Sequence, residues 1–84
     1  MDSPQRRVYV LESLNEPARH YTGVSHNPAA RLDRHNAGLS PHTDKHRPWK
    51  LLVSIEFTDP RCAIRFEKYL KSGSGRAFAR RHFR

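Results

Sequence analysis

Twice in this chain an extended apolar run gives way to a polar capping side chain followed directly by proline. Asn27-Pro28 comes just after Tyr21–Val24, and Asp59-Pro60 comes just after Leu51–Phe57. The first side chain of each pair can accept a hydrogen bond from an orphaned helix N–H, and proline suits the first helical position, where no N–H is needed. Two strand-to-helix turns are set in this way, and they restrict the fold more than any other feature of the sequence.

The remaining elements fall into place around them. Arg7–Ser13 reads as a strand, with Val8, Tyr9, Val10 and Leu11 nearly continuous and apolar. Asn15 and Pro17 suit a hairpin loop over Leu14–Ala18, leading back to a second strand over about Arg19–Val24. The first helix should then run to about Asn36, where Gly38 is placed to stop it. Leu51–Phe57 alternates cleanly, which puts Leu51, Val53, Ile55 and Phe57 on one face. The second helix should reach about Lys71, Ser72-Gly73-Ser74-Gly75 should break it, and Arg76–His82 can form a short basic third helix. The predicted order is β-β-α-β-α-α. The fold class is α+β, a small three-stranded, mainly antiparallel sheet flanked by helices. Residues 1–84 are expected to form one domain, with 1–6 a flexible tail.

Charge narrows the partners. The net charge is +8, and from Arg61 onward eight lysines or arginines face one acid, Glu67. So lopsided a field favours polyanions, nucleic acid first, because phosphate contacts give affinity without regard to sequence. Candidate phosphate contacts are Lys71, Arg76, Arg80 and Arg81. The unpatterned stretch 37–50 adds Lys45, His46 and Arg47, and it either lies along a nucleic-acid backbone or is a solvated loop whose end Trp49 anchors. No apolar run is long enough to span a membrane, and the N-terminal residues lack a signal-peptide core. With one cysteine, Cys62, the chain has no internal disulfide, and a cytoplasmic location is expected.

Some residues suggest chemistry. Arg31 and His35 lie four apart and project from one helix face, a pairing suited to clamping phosphate oxygens while handling a proton. Glu67 falls near the middle of the apolar stripe defined by Ala63, Ile64, Phe66 and Leu70. A carboxylate there is costly unless it is paired with an arginine or bound to a cation. Propensity alone favours Tyr9 and Tyr21 as core aromatics, the alternative being hydroxyls that meet near Arg31. The six histidines show no ligand set with zinc-site spacing.

Val8-Tyr9-Val10, then Tyr21-Thr22-Gly23, then Arg31, His35 and Glu67 in that order, resemble the GIY-YIG nuclease superfamily. The likeness runs from about Arg7 to Phe83 and is strongest to small bacterial proteins related to the N-terminal domain of the excision-repair incision subunit. Arg7, Val8 and Thr22 depart from the family tripeptides at positions that are largely structural. The resemblance implies a divalent-metal-dependent endonuclease acting on nucleic acid, with DNA the expected form, in repair or recombination-type processing. It makes Tyr9 the candidate base, Tyr21 its companion, Arg31 and His35 phosphate and proton handlers, and Glu67 the ligand of a single Mg²⁺ or Mn²⁺. Tyr9 would then need Arg31 and the metal to lower its pKa. A targeting protein partner is also expected, since no DNA-targeting domain accompanies these residues. The alternatives are a non-catalytic nucleic-acid-binding module and an interaction domain for an acidic protein. In the nuclease reading Tyr9, Tyr21, Arg31, His35 and Glu67 must converge on one concave surface.

Overall fold

The structure is a computed structural model that describes residues 6–84. At its centre lies β1 (Arg7–Ser13), which pairs antiparallel with β2 (His20–Ser25) on one side and β3 (Trp49–Glu56) on the other. The sheet order is therefore β2-β1-β3. Val8, Tyr9, Val10 and Leu11 are all buried, so this strand is covered on both faces. Strand residues point alternately to either side, and the two cores sort accordingly. Val8 and Val10 join Ala63, Leu70 and Ala79, while Tyr9 and Leu11 join Trp49, with Tyr21 and Leu32 packed beside them.

Three helices supply those covers. Helix α1 (Pro28–Asn36) lies on the Tyr9 face; α2 (Pro60–Leu70) and α3 (Gly73–His82) lie on the Val8 face. Both caps form as the sequence indicates: Asn27 accepts from the Ala30 N–H and Asp59 from the Arg61 N–H. Gly38 follows α1 with φ +78°, a left-handed conformation that glycine takes without strain. The order β-β-α-β-α-α is as predicted, and every strand pair is antiparallel.

Two local expectations are corrected. Leu51 does not share a face with Val53. Val10 pairs with Val53 and Leu11 with Leu51, so Leu52 is an extra residue in β3. This bulge reverses the alternation: Leu51 is turned out and exposed, while Leu52 packs with Val53 and Phe57 on the Val8-side core. The third helix also starts earlier than expected. Ser72 caps it by accepting from the Gly75 N–H, so the glycines lie inside α3 rather than before it. Of the expected tail, Arg6 is tied down, its carbonyl accepting from the Phe57 N–H, and the remainder lies outside the described residues.

Gly75 sets how closely α2 and α3 approach. A Cβ there would lie 1.8 Å from the Tyr69 carbonyl oxygen and 2.5 Å from the Leu70 Cα, both rigid backbone. Gly75→Ala should therefore destabilise the fold by about 3 kcal/mol, the upper range for overpacking. Gly73→Ala, where nothing lies within 4 Å, should not destabilise it. Urea unfolding of both variants checks the contrast.

Candidate active site

Register and a missing side chain place the first tyrosine. Tyr9 sits opposite Gly23 and Leu11 opposite Tyr21, so both tyrosines lie on the α1 side of the sheet. The Tyr9 ring crosses directly over Gly23, where an added Cβ would come within 2.6 Å of the hydroxyl and 2.7 Å of the ring carbon that bears it. Only glycine leaves room for that crossing. It carries the Tyr9 hydroxyl to His35 Nε2, 3.1 Å away. The Tyr21 ring lies 4.6 Å from the His35 ring, centroid to centroid, and 6.1 Å from that of Tyr9.

His35, buried on α1, is held from its other side as well. Its Nδ1 is 2.7 Å from Thr43 Oγ1, and that hydroxyl donates to the Ser40 carbonyl. When Thr43 gives its proton to that carbonyl it accepts from Nδ1, which then carries the imidazole hydrogen. Nε2 is then the lone-pair nitrogen and accepts from the Tyr9 hydroxyl. The result is a directed chain, Tyr9 to His35 to Thr43 to Ser40.

Burial first, and nearby charges after it, set the proton affinities of the chain. Burial, with the charges of Arg31 and Arg34 after it, holds the His35 pKa below the ordinary histidine range. Burial also pushes the Tyr9 pKa up to about 12. Tyr21 and Glu67 add to that rise, while the Arg31 guanidinium pulls against it. The expected lowering of the Tyr9 pKa is thus reversed in the protein itself, because desolvation outweighs Arg31. Arg31 is exposed, one turn before His35, and among the described residues it forms no ion pair.

Glu67 stands outside the hydrogen-bonded chain. It comes from α2, across the sheet from α1, and reaches Tyr9 through its charge alone. Its side chain is 17% exposed, and Lys71 Nζ lies 3.1 Å from its Oε2. The partner is thus a lysine one turn on, not a buried arginine. Tyr9, Tyr21 and His35 meet on the α1 side with Arg31 one turn before His35, while Glu67 comes from α2 on the other side of the sheet, near enough for its charge to act on Tyr9.

The basic residues divide. Lys71, Arg76 and Arg80 line a cleft of about 460 Å³ together with Arg19, His20, Tyr21, Thr22 and Arg84. Tyr21 therefore belongs both to the tyrosine–histidine cluster and to the cleft. His20 is engaged by Glu12 at 3.0 Å and Arg19 by Glu16 at 3.4 Å, whereas Arg76, Arg80 and Arg84 form no ion pair among the described residues. Arg81 is exposed but does not line the cleft. In the 37–48 loop, Lys45 is exposed, Arg47 pairs with Asp44 at 3.0 Å, and His46 lies 3.2 Å from Glu16. Trp49 does anchor this loop, its indole N–H donating to the Thr43 carbonyl at 2.9 Å.

A family model of the GIY-YIG catalytic domain matches residues 6–81. The chain belongs to the GIY-YIG family. Relatives of this GIY-YIG domain include the structure-specific endonuclease subunit slx1 of Talaromyces marneffei, 37% identical over 70% of this chain and 17% of that protein. They also include the SLX1 subunits of Candida dubliniensis, 34% identical over 76% of this chain and 25% of that protein, and of Vanderwaltozyma polyspora, 35% identical over 77% and 23%. The likeness found is thus to structure-specific endonuclease subunits, not specifically to the excision-repair incision subunit. The chain spans a quarter or less of the length of these relatives. No solved structure matches it significantly.

Sequence reasoning missed Thr43, Arg19 and Arg84. Arg84 had a usable signal, the four-residue spacing Arg76, Arg80, Arg84. Thr43 had none, because the loop that carries it has no period.

The buried, neutral His35 has a consequence for stability. Its folded pKa lies below the unfolded value of about 6.5, so at intermediate pH the unfolded chain binds more protons. This contribution is complete above the unfolded value and is lost as pH falls through the folded one. The melting temperature should therefore drop on acidification below about pH 6.5, and His35→Gln should flatten that drop. Thermal melts across pH 5–8 provide the check.

Proposed function

We propose that this domain hydrolyses phosphodiester bonds in nucleic acid, most naturally DNA, as a metal-dependent endonuclease. The directed chain from Tyr9 through His35 to Thr43, with Arg31 beside it, carries this reading. An attacking water must lose a proton as the new P–O bond forms. A tyrosine with a pKa near 12 cannot wait as a tyrosinate. Tyr9 can instead take the water's proton while its own passes to the neutral His35 Nε2, so no free phenolate is needed. Thr43 fixes the tautomer that makes Nε2 the acceptor. Arg31, exposed and without an ion pair, is placed to stabilise charge building on the phosphate oxygens.

No group of three or more His, Cys, Asp or Glu side chains that could hold a metal occurs among the described residues. A lone carboxylate still suits Mg²⁺ or Mn²⁺, which bind through one or two carboxylates with waters and substrate phosphate completing the shell. Glu67 fits: it is a hard oxygen donor, largely shielded, and already carries a cation in the Lys71 ammonium. Glu67 would hold the ion, which supplies Lewis-acid neutralisation at the phosphate.

The cleft lies next to Tyr21 and presents its arginines to the backbone of a bound strand. The relatives are named as structure-specific endonucleases and as subunits, which supports a DNA-processing role with a protein partner for targeting. One thiol and no disulfide suit a cytoplasmic setting. A non-catalytic nucleic-acid-binding module draws on the same cleft.

Glu67→Gln separates the two readings. Its partner Lys71 is half exposed, so losing the pair should cost under about 1 kcal/mol and leave the fold intact. Cleavage of a labelled DNA panel in Mg²⁺ should fall by roughly 10²-fold or more, with metal-free DNA affinity not reduced. Full activity in that variant would remove Glu67 from the mechanism, and no cleavage by the parent protein would favour the binding module.

The cleft makes its own prediction. Arg80→Gln should flatten the log–log salt dependence of DNA binding by roughly 0.7–0.9 unit, one phosphate contact. Arg81→Gln, off the cleft, should change the slope less. Fluorescence anisotropy over a salt series distinguishes them.

A further inference from the structure

Lys71 joins the Glu67 carboxylate to the cleft. Its ammonium rests on Glu67 Oε2, and the residue also lines the cleft with Arg76, Arg80 and Arg84. The two residues are one turn apart on the same side of α2, with Lys71 at its C-cap, so rotation about the lysine stem alone can transfer the charge. The exposures differ in the direction such a transfer needs: Lys71 is 54% exposed and Glu67 17%. Among the described residues no other cation pairs with Glu67.

We infer that Lys71 is a shared cation: it neutralises Glu67 before metal arrives, and when a divalent ion takes the carboxylate it turns to a phosphate of the strand in the cleft. This rests on the reading of Glu67 as the metal ligand. The electrostatic reason is simple. An ammonium and a divalent cation cannot both sit on one carboxylate without strong repulsion, whereas the cleft already holds cations that need anions. The same ammonium that hinders metal binding in the free protein then adds a phosphate contact in the complex. Metal and strand are linked through one side chain, and the linkage must be reciprocal.

The test uses the full chain with Tyr9→Phe, which removes the hydroxyl and blocks hydrolysis while leaving Glu67 and Lys71 in place. Mn²⁺ binding is measured by calorimetry with and without a short single-stranded DNA, in this protein and after adding Lys71→Met. Without DNA, Lys71→Met should bind Mn²⁺ roughly two- to fivefold tighter, the range for releasing a pair of this exposure. With saturating DNA that difference should narrow, because the strand offers the displaced ammonium a phosphate. DNA titrations supply a second readout: in Mn²⁺ the Lys71→Met salt slope should be flatter by roughly 0.7 unit, and without metal the two slopes should differ less.

Arg76→Gln controls for the general field, since it removes a cleft cation that is not paired with Glu67. If it tightened Mn²⁺ binding as much as Lys71→Met, the shared-cation inference would fall. Unchanged Mn²⁺ affinity in Lys71→Met, alongside lost affinity in Glu67→Gln, would also overturn it while sparing the metal assignment. Retained Mn²⁺ affinity in Glu67→Gln would overturn the metal assignment and this inference together.

Discussion

The structure depends on burying one strand on both faces. Four consecutive residues of β1 are buried, and three of them are aliphatic. The fourth, Tyr9, brings a hydroxyl into that environment. A buried hydroxyl without a partner costs on the order of 1–3 kcal/mol, so a partner has to be supplied nearby. His35 supplies it, and His35 is then itself buried with a second nitrogen to satisfy. Thr43 answers that need, and the Trp49 indole fixes Thr43. What begins as a requirement of packing thus propagates outward until an aperiodic loop is pinned to the sheet. The candidate chemistry uses the same bonds that make the core tolerable.

That origin explains the character of the site. Burial raises the proton affinity of Tyr9 and lowers that of His35, so the resting state is a neutral pair with one hydrogen between them. Such a pair does not act as a preformed base. It acts by handing protons along a fixed line, which suits a reaction in which bond formation and proton loss occur together. The charged residues stay at the margin: Arg31 and Lys71 are exposed, and Glu67 is bound to an ammonium on the surface. A small domain with few buried charges avoids the desolvation cost that a fully interior ionic site would incur.

The elements governed by local rules were legible in the sequence. Asn27 and Asp59 with their prolines, the apolar run of β1 and Gly38 after α1 act through neighbours along the chain, and each element lies where those residues indicate. The misses share a different cause. The bulge at Leu52 arises from pairing with β1, and a strand read by itself alternates perfectly. The glycines before Arg76 look like helix breakers until α2 is placed against them, when the absence of Cβ becomes the condition for contact. Glu67 was found by its conflict with the apolar stripe, but Lys71 was not named as its partner, because that pairing depends on how the two side chains lie on the folded helix. Thr43 acts only in three dimensions. The site residues carried by the family likeness were named in the sequence, whereas the hydrogen-bond direction that gives them roles was not.

Trp49 is the single tryptophan of the chain, and its indole N–H is bonded to the residue that orients His35. Any rearrangement of the tyrosine–histidine pair that is passed to Thr43 therefore reaches the sole indole chromophore, with no second indole to mask it. The fold carries its own optical label, one bond removed from the proposed proton path, so intrinsic emission can follow occupancy of the site in stopped-flow time without attaching a dye.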